Sequence, residues 1–153
     1  MSFTLDTNIL IRMANQYPRE IFPSVWERLE ELIDAGDACI CEEVHEETHR
    51  GTDELYEWAK AQDDFICEVG SDEVGIAAEI SQAYPDWVRE TQNAADPFLI
   101  AHAEVDGLTV VSDEREAGPG TIPKNQKVPN VARARGVRTV NFFGMATELG
   151  WRF

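Results

Sequence analysis

Short apolar runs alternate along this chain with longer segments whose apolar residues recur every three or four positions. The first run, Phe3-Thr4-Leu5, predicts an opening strand, and Asp6 and Asn8 fall where it gives way to a helix. A helix is expected over Pro23 to Ile33, with Phe22, Trp26, Leu29 and Ile33 on one face and Gly36 as its stop. Ala38 to Cys41 reads as a short buried strand, residues 42–49 as a Glu-rich helix ended by Gly51, and Asp53 to Ala61 as another helix. Phe65 to Val69 predicts a third strand. Ser71 and Asp72 are expected to cap a helix that Pro85 stops near Tyr84.

Asp96-Pro97 places proline at a favoured first-turn position before the apolar helix Phe98 to Val105, which Gly107 ends. Leu108 to Val111 is a fourth strand. Ala117 to Asn130 is a loop holding three prolines and no acid, followed by a short helix from Val131 to Arg135. Val137 to Val140 and a helix closing at Gly150 complete the pattern. Strands alternating with helices predict an α/β fold: a three-layer α/β/α sandwich around a central, mainly parallel sheet of about four to five strands.

At 153 residues the chain is expected to form a single domain over 1–153 with a substantial core. It contains no run of eighteen apolar residues and no basic-then-apolar start, so a cytoplasmic protein without a membrane span is expected. Three cysteines provide neither a disulfide framework nor a four-ligand zinc set. Cys39 and Cys41 are read as buried reduced thiols. The net charge of −16 is unevenly spread: residues 1–114 hold 6 basic and 27 acidic side chains, residues 115–153 hold 7 and 2. The acidic body argues against nonspecific nucleic-acid binding, whereas the basic C-terminal third offers one polyanion-facing surface.

Several acids recur at strand ends. Asp6 follows the first strand, Glu46 lies in the helix after the second, Asp96 opens a helix, and Asp113 and Glu114 follow the fourth strand. Each alone has an ordinary explanation as a cap, a turn or solvated surface. Strand C-termini share one edge of a parallel sheet, however, so the acids can converge. Two carboxylates about 5 Å apart repel by roughly 0.8 kcal/mol even in water, and by more in a cleft. A cluster of them calls for a cation, and hard oxygen donors select Mg²⁺ or Mn²⁺.

Leu5-Asp6-Thr7-Asn8, the passage from Ile40 to Glu46, Ala95 to Ala103, Val110 to Glu114 and the stretch from Val128 to Phe153 together resemble a PIN-domain ribonuclease, the fold of VapC-type toxins. Within that fold the chain resembles a PIN-like family formerly of unknown function. The resemblance implies a divalent-metal-dependent endoribonuclease, the toxin of a toxin–antitoxin pair. Its cofactor would be Mg²⁺ or Mn²⁺, and its partners RNA, an antitoxin protein and a second copy of itself. It maps the metal-binding acids to Asp6, Glu46, Asp96 and Glu114, with Asp113 auxiliary. Ser112 stands where the family has threonine. Glu42 and Glu43 compete with Glu46, which is preferred because Val44 suits the buried position two residues before the acid. Asn8 and Ser112 would position ligands or water. Lys124 and Lys127, with Arg133, Arg135 and Arg138, would hold the RNA backbone.

Two other readings compete. His45-Glu46-Glu47-Thr48-His49 spells the H-E-x-x-H pattern of zinc metalloproteases, with histidines four apart on one helical face and Glu46 as base. It leaves Asp6, Asp96 and Glu114 without a role, and His102 is read as a helix-packing residue. Alternatively, the chain is a catalytically weak PIN-like protein-binding module, its acidic helices and Trp26, Trp58 and Trp87 contributing to a partner surface, although core packing is the ordinary use of each Trp.

Overall fold

The computed structural model describes residues 2–153 and has five parallel strands in the order β3-β2-β1-β4-β5. The strands are β1 (Phe3–Leu5), β2 (Ala38–Cys41), β3 (Ile66–Cys67), β4 (Thr109–Val111) and β5 (Thr139–Val140). Phe3 pairs with both Ala38 and Thr109, so β1 is central, and all three of its residues, the polar Thr4 included, are buried. Helices α1 (Thr7–Gln16), α2 (Pro23–Asp34), α3 (Glu42–Glu47), α4 (Asp53–Ala61), α5 (Ser71–Ala83), α6 (Asp96–Asp106), α7 (Val128–Ala134) and α8 (Phe142–Glu148) complete the three-layer α/β/α sandwich expected from the pattern. Among the described residues no helix is long and apolar enough to cross a membrane.

The strand order reverses at β1. From there the chain moves outward through β2 and β3, then returns to place β4 on the other side. That switch point opens a crevice at the C-terminal ends of β1 and β4, the place where ligands bind in sheets of this kind. Asp6 leaves β1 directly into it, and Ser112 to Glu114 leave β4 beside it.

Several boundaries differ from the sequence expectation. Helix α3 stops at Glu47 and continues as one 3₁₀ turn, Thr48–Arg50. Thr48 Oγ1 donates back to the His45 carbonyl, a bond that competes with regular helix geometry. Helix α7 starts three residues earlier than predicted because Pro129 is accommodated in its first turn, where no amide donor is needed. The third strand shortens to two residues. Glu42 Oε1 accepts the Val69 amide at 2.9 Å just beyond its end. Ser71 is the first residue of α5 rather than its cap, and Glu73 reaches back to the Gly70 amide at 3.0 Å.

Trp26, Leu29 and Ile33 are buried as expected, whereas Phe22 precedes α2 and stays 40 % exposed. The tryptophans serve packing. Trp26 and Trp87 are buried, and Trp58 meets Trp26 edge to face with ring centroids 5.1 Å apart. Trp26 donates to the Tyr17 carbonyl and Trp87 to that of Gln126, so each buried indole N–H has its partner.

Candidate active site

Asp6 occupies the position before α1, yet its side chain makes no capping bond to that helix. Instead its Oδ2 accepts from Ser112 Oγ at 2.7 Å and from Asn8 Nδ2 at 3.2 Å. Asn8 also bonds Ser112 at 3.3 Å, and its Oδ1 accepts the Asp113 amide at 3.2 Å. The Asp6 carboxylate is thus fixed by side chains from both sides of the switch point. Asp96 lies in the first turn of α6, likewise without a capping bond, and is buried. The ordinary explanation for these two acids, a cap, does not apply to either.

The adjacent acids Asp113 and Glu114 face different ways. Asp113 Oδ1 accepts the Phe142 amide at 2.9 Å at the start of α8, and its Oδ2 pairs with Arg12 at 3.2 Å. Glu114 turns toward Asp6, its Oε2 held by the Val128 amide at 2.8 Å where α7 begins. Ser112 Oγ accepts the Glu114 amide at 3.2 Å and so organises both acids on the cleft side.

Helix α3 supplies Glu47 rather than Glu46. Thr7 Oγ1 donates to Glu47 Oε1 at 2.9 Å, and Arg50 pairs with Glu47 Oε2 at 3.1 Å. Glu46, the residue expected from sequence, is exposed and hydrogen-bonds the Tyr56 hydroxyl at 3.4 Å. It lines an adjoining groove with Glu42, Glu43 and Glu47. The difference is one residue of helical phase, about 100° of rotation around the helix.

Asp6, Glu47, Asp96 and Glu114 therefore line one open cleft of about 410 Å³, along with Asn8, Arg12, Arg50 and Asn93. Burial raises the Asp6 carboxyl from its ordinary 3.8 to about 7; the Ser112 hydrogen bond opposes this, and Glu114 and Glu47 add to it by repulsion. Asp96 is pushed well above the usual carboxylate range, first by burial and then by the charges of Asp6, Glu114 and Glu47, with Arg50 acting against them. A group of oxygen donors that repel one another in a partly desolvated cleft fits a hard divalent cation by charge and by donor type.

The remaining sequence candidates lie elsewhere. Lys124 and Lys127 are exposed on the segment leading to α7, and neither lines the cleft, although Lys127 directly precedes the residue that holds Glu114. Arg133 pairs with Glu116, Arg135 with Glu79 and Glu104, and Arg138 with Glu148. Arg12, Arg50, Asn93 and Glu47 were not marked by the sequence pattern. Arg12 lies on α1 between one and two turns beyond Asp6, the one sequence signal that could have marked it, whereas Arg50 lies in the 3₁₀ turn after α3.

The H-E-x-x-H pattern does not form a zinc site. Both rings stack on Tyr56, His45 with centroids 4.0 Å apart and His49 with 3.8 Å, so the phenol ring separates them. His45 Nε2 contacts the Tyr56 carbonyl at 3.1 Å, and His49 lies in the 3₁₀ turn with Nδ1 3.5 Å from Asp53. The break after Glu47 removes the regular helix that the motif requires. Among the described residues, two groups bring three metal-ligating atoms within 4.8 Å of one another, Cys39, Cys67 and His102, and Glu73, His102 and Asp106; the cleft acids are spaced more widely.

The chain belongs to the DUF4411 family, a domain of unknown function, whose model matches residues 3–153. No curated protein sequence matches it. Among solved structures it is similar to VapBC2 from Rickettsia felis bound to a DNA fragment from their promoter, with a TM-score of 0.58 and 16% identity over 93% of this chain and 99% of that one. It is also similar to FitAB bound to an IR36 DNA fragment, with a TM-score of 0.55 and 18% identity over 91% of this chain and 94% of that one. At these identities the likeness is one of fold.

Proposed function

We propose that this chain is a divalent-metal-dependent endoribonuclease and the toxin partner of an antitoxin protein. The observation that carries the reading is the convergence of Asp6, Glu47, Asp96 and Glu114 at the switch point, with two of the four buried and their charges mutually unfavourable. Asp6, Asp96 and Glu114 would hold Mg²⁺ or Mn²⁺, with Glu47 as the fourth acid. Such a cation lowers the pKa of water and neutralises charge developing on a phosphodiester.

The protein's own groups have separable tasks in this scheme. Ser112 and Asn8 hold the Asp6 carboxylate in one orientation, and Ser112 also fixes the backbone of Glu114. Val128 fixes one oxygen of Glu114 and leaves the other for the cleft. Arg50 and Arg12 flank the acids and would engage the phosphate backbone, which the acidic cleft otherwise repels. Lys127, which directly precedes the residue that holds Glu114, and Lys124, exposed on the same segment, would extend that contact. The resemblance to VapC-type toxins supports RNA as substrate and a protein antitoxin as partner, and the similarity to VapBC2 and FitAB agrees with it at the level of fold.

The test is cleavage of single-stranded RNA by the purified chain with Mg²⁺ or Mn²⁺, in parallel with Asp96→Asn. Cleavage by the unaltered chain and none by the variant is expected. Equal cleavage by both would overturn the assignment.

A further inference from the structure

Outside the acidic cleft, strands β2 and β3 and helix α6 bring two thiols and an imidazole together. The Sγ atoms of Cys39 and Cys67 and a ring nitrogen of His102 all lie within 4.8 Å of one another. Cys39 Sγ is 3.3 Å from His102 Nε2. Around a tetrahedral Zn²⁺, with bonds of about 2.3 Å to sulfur and about 2.0 Å to nitrogen, a thiolate and an imidazole sit about 3.5 Å apart. The observed spacing needs only a small adjustment to accept the ion.

The strand register explains why the thiols meet. Cys41 pairs with Cys67, so Cys39, two residues before Cys41, shares a face of the sheet with Cys67. Helix α6 packs over that face and delivers His102, itself buried, from above. The other side of the ring is also prepared. His102 Nδ1 lies 3.3 Å from the Asp106 carboxylate, one helical turn on. A carboxylate at Nδ1 holds the proton there and leaves the Nε2 lone pair facing the thiols, the outer arrangement found around metal-bound histidines. Cys39 and Cys67 both remain half-exposed, whereas Cys41 is buried and outside the group.

We propose that Cys39, Cys67 and His102 form a Zn²⁺ site, oriented by Asp106 and open at its fourth position. Sulfur and imidazole donors select a soft or borderline ion over Mg²⁺, so this site differs in chemistry from the acidic cleft and does not depend on the nuclease reading. A bound ion joins the two-residue edge strand β3 to β2 and to α6, the helix whose first turn carries Asp96.

The purified full-length chain, stripped with chelator under reducing conditions, should bind one equivalent of Co²⁺ with a thiolate-to-cobalt charge-transfer band, and Zn²⁺ should displace it. Cys39→Ser, Cys67→Ser and His102→Gln should each lose the band, whereas Asp6→Asn should retain it. Asp106→Asn should keep the band with affinity reduced roughly 10- to 100-fold. Absence of the band in the unaltered chain, or its survival in both cysteine variants, would overturn the site. Should a cysteine variant lose its circular-dichroism signature, alkylation of the unaltered chain decides the matter. One equivalent of Zn²⁺ should protect Cys39 and Cys67 from iodoacetamide, and equal labelling with and without Zn²⁺ would count against the proposal.

Discussion

At the acidic cleft and at the Cys39–Cys67–His102 cluster the fold assembles ligating side chains under opposite electrostatic conditions. The cleft gathers Asp6, Glu47, Asp96 and Glu114, whose charges raise one another's proton affinity. The second cluster gathers two thiols, an imidazole and a carboxylate that hydrogen-bond or pair with one another. Without a cation the first arrangement opposes folding and the second does not. Stability and ligand binding should therefore be coupled through charge at the cleft and through donor identity at the thiols.

The largest expected effect comes from removing charge at the cleft. Asp6→Asn or Asp96→Asn should lower metal-dependent RNA cleavage by roughly 10³-fold or more, as expected when several kcal/mol of charge stabilisation is lost. The same substitutions should leave the metal-free melting temperature unchanged or raised. A variant that is inactive because it is unfolded would break the contrast, and thermal melts read this directly.

A pH series sharpens it next. Asp6 titrates near 7 in the folded chain and near 3.8 when unfolded, so the folded state keeps a proton that the unfolded state releases. Its contribution to stability is complete below pH 3.8 and is lost as pH rises through about 7, at up to about 1.4 kcal/mol per unit. Asp96 shifts in the same direction and adds to the effect. Metal-free melts should fall from pH 5 to pH 8, and Mn²⁺ should raise the melting temperature more at pH 8. A flat metal-free profile would remove the electrostatic half of the comparison.

Within the cleft, Glu47→Gln should reduce cleavage about 10- to 100-fold, while Glu46→Gln should stay within about twofold. The reverse order would restore the assignment drawn from sequence. The smallest effects separate the neighbours Ser112 and Asp113. Ser112→Ala removes support from Asp6 and Glu114 and should cost about 10-fold in activity or metal affinity. Asp113→Asn should leave cleavage near normal and lower stability by about 1 kcal/mol, because it weakens the start of α8 and the Arg12 pair. Melts and cleavage rates on the two variants check both.

Asp6, Asp96 and Glu114, which the structure brings to one cleft, could be marked as candidates because each is tied to a strand end or a helix start that pattern alone reveals. Phase within a helix was less legible. In the run from Glu42 to Glu47 every turn of the helix offers a carboxylate, and the Thr48 back-bond that ends α3 is a local event with no periodic signature. The H-E-x-x-H pattern failed for the same reason, since it presumes a helix that continues to His49. Arg50 became visible only with the 3₁₀ turn that aims it at Glu47. The thiol and imidazole cluster was hidden for a different reason. It depends on the pairing of β2 with β3 and on the docking of α6, contacts that lie 28 and 63 residues apart in the chain.

The tripeptide Ser112-Asp113-Glu114 acts as a ruler. Its first residue reaches back to β1, its second closes the start of α8, and its third opens toward the cleft, with no spare residue among them. Losing one residue here would exchange the partners of both acids at once. The Ala117–Gln126 segment that follows is mostly exposed and turn-rich, so added length there would be absorbed. Relatives of this chain should therefore vary in length after Glu116 and keep a fixed count from Val111 to Glu114, a rule set by the geometry of a strand exit that serves two masters.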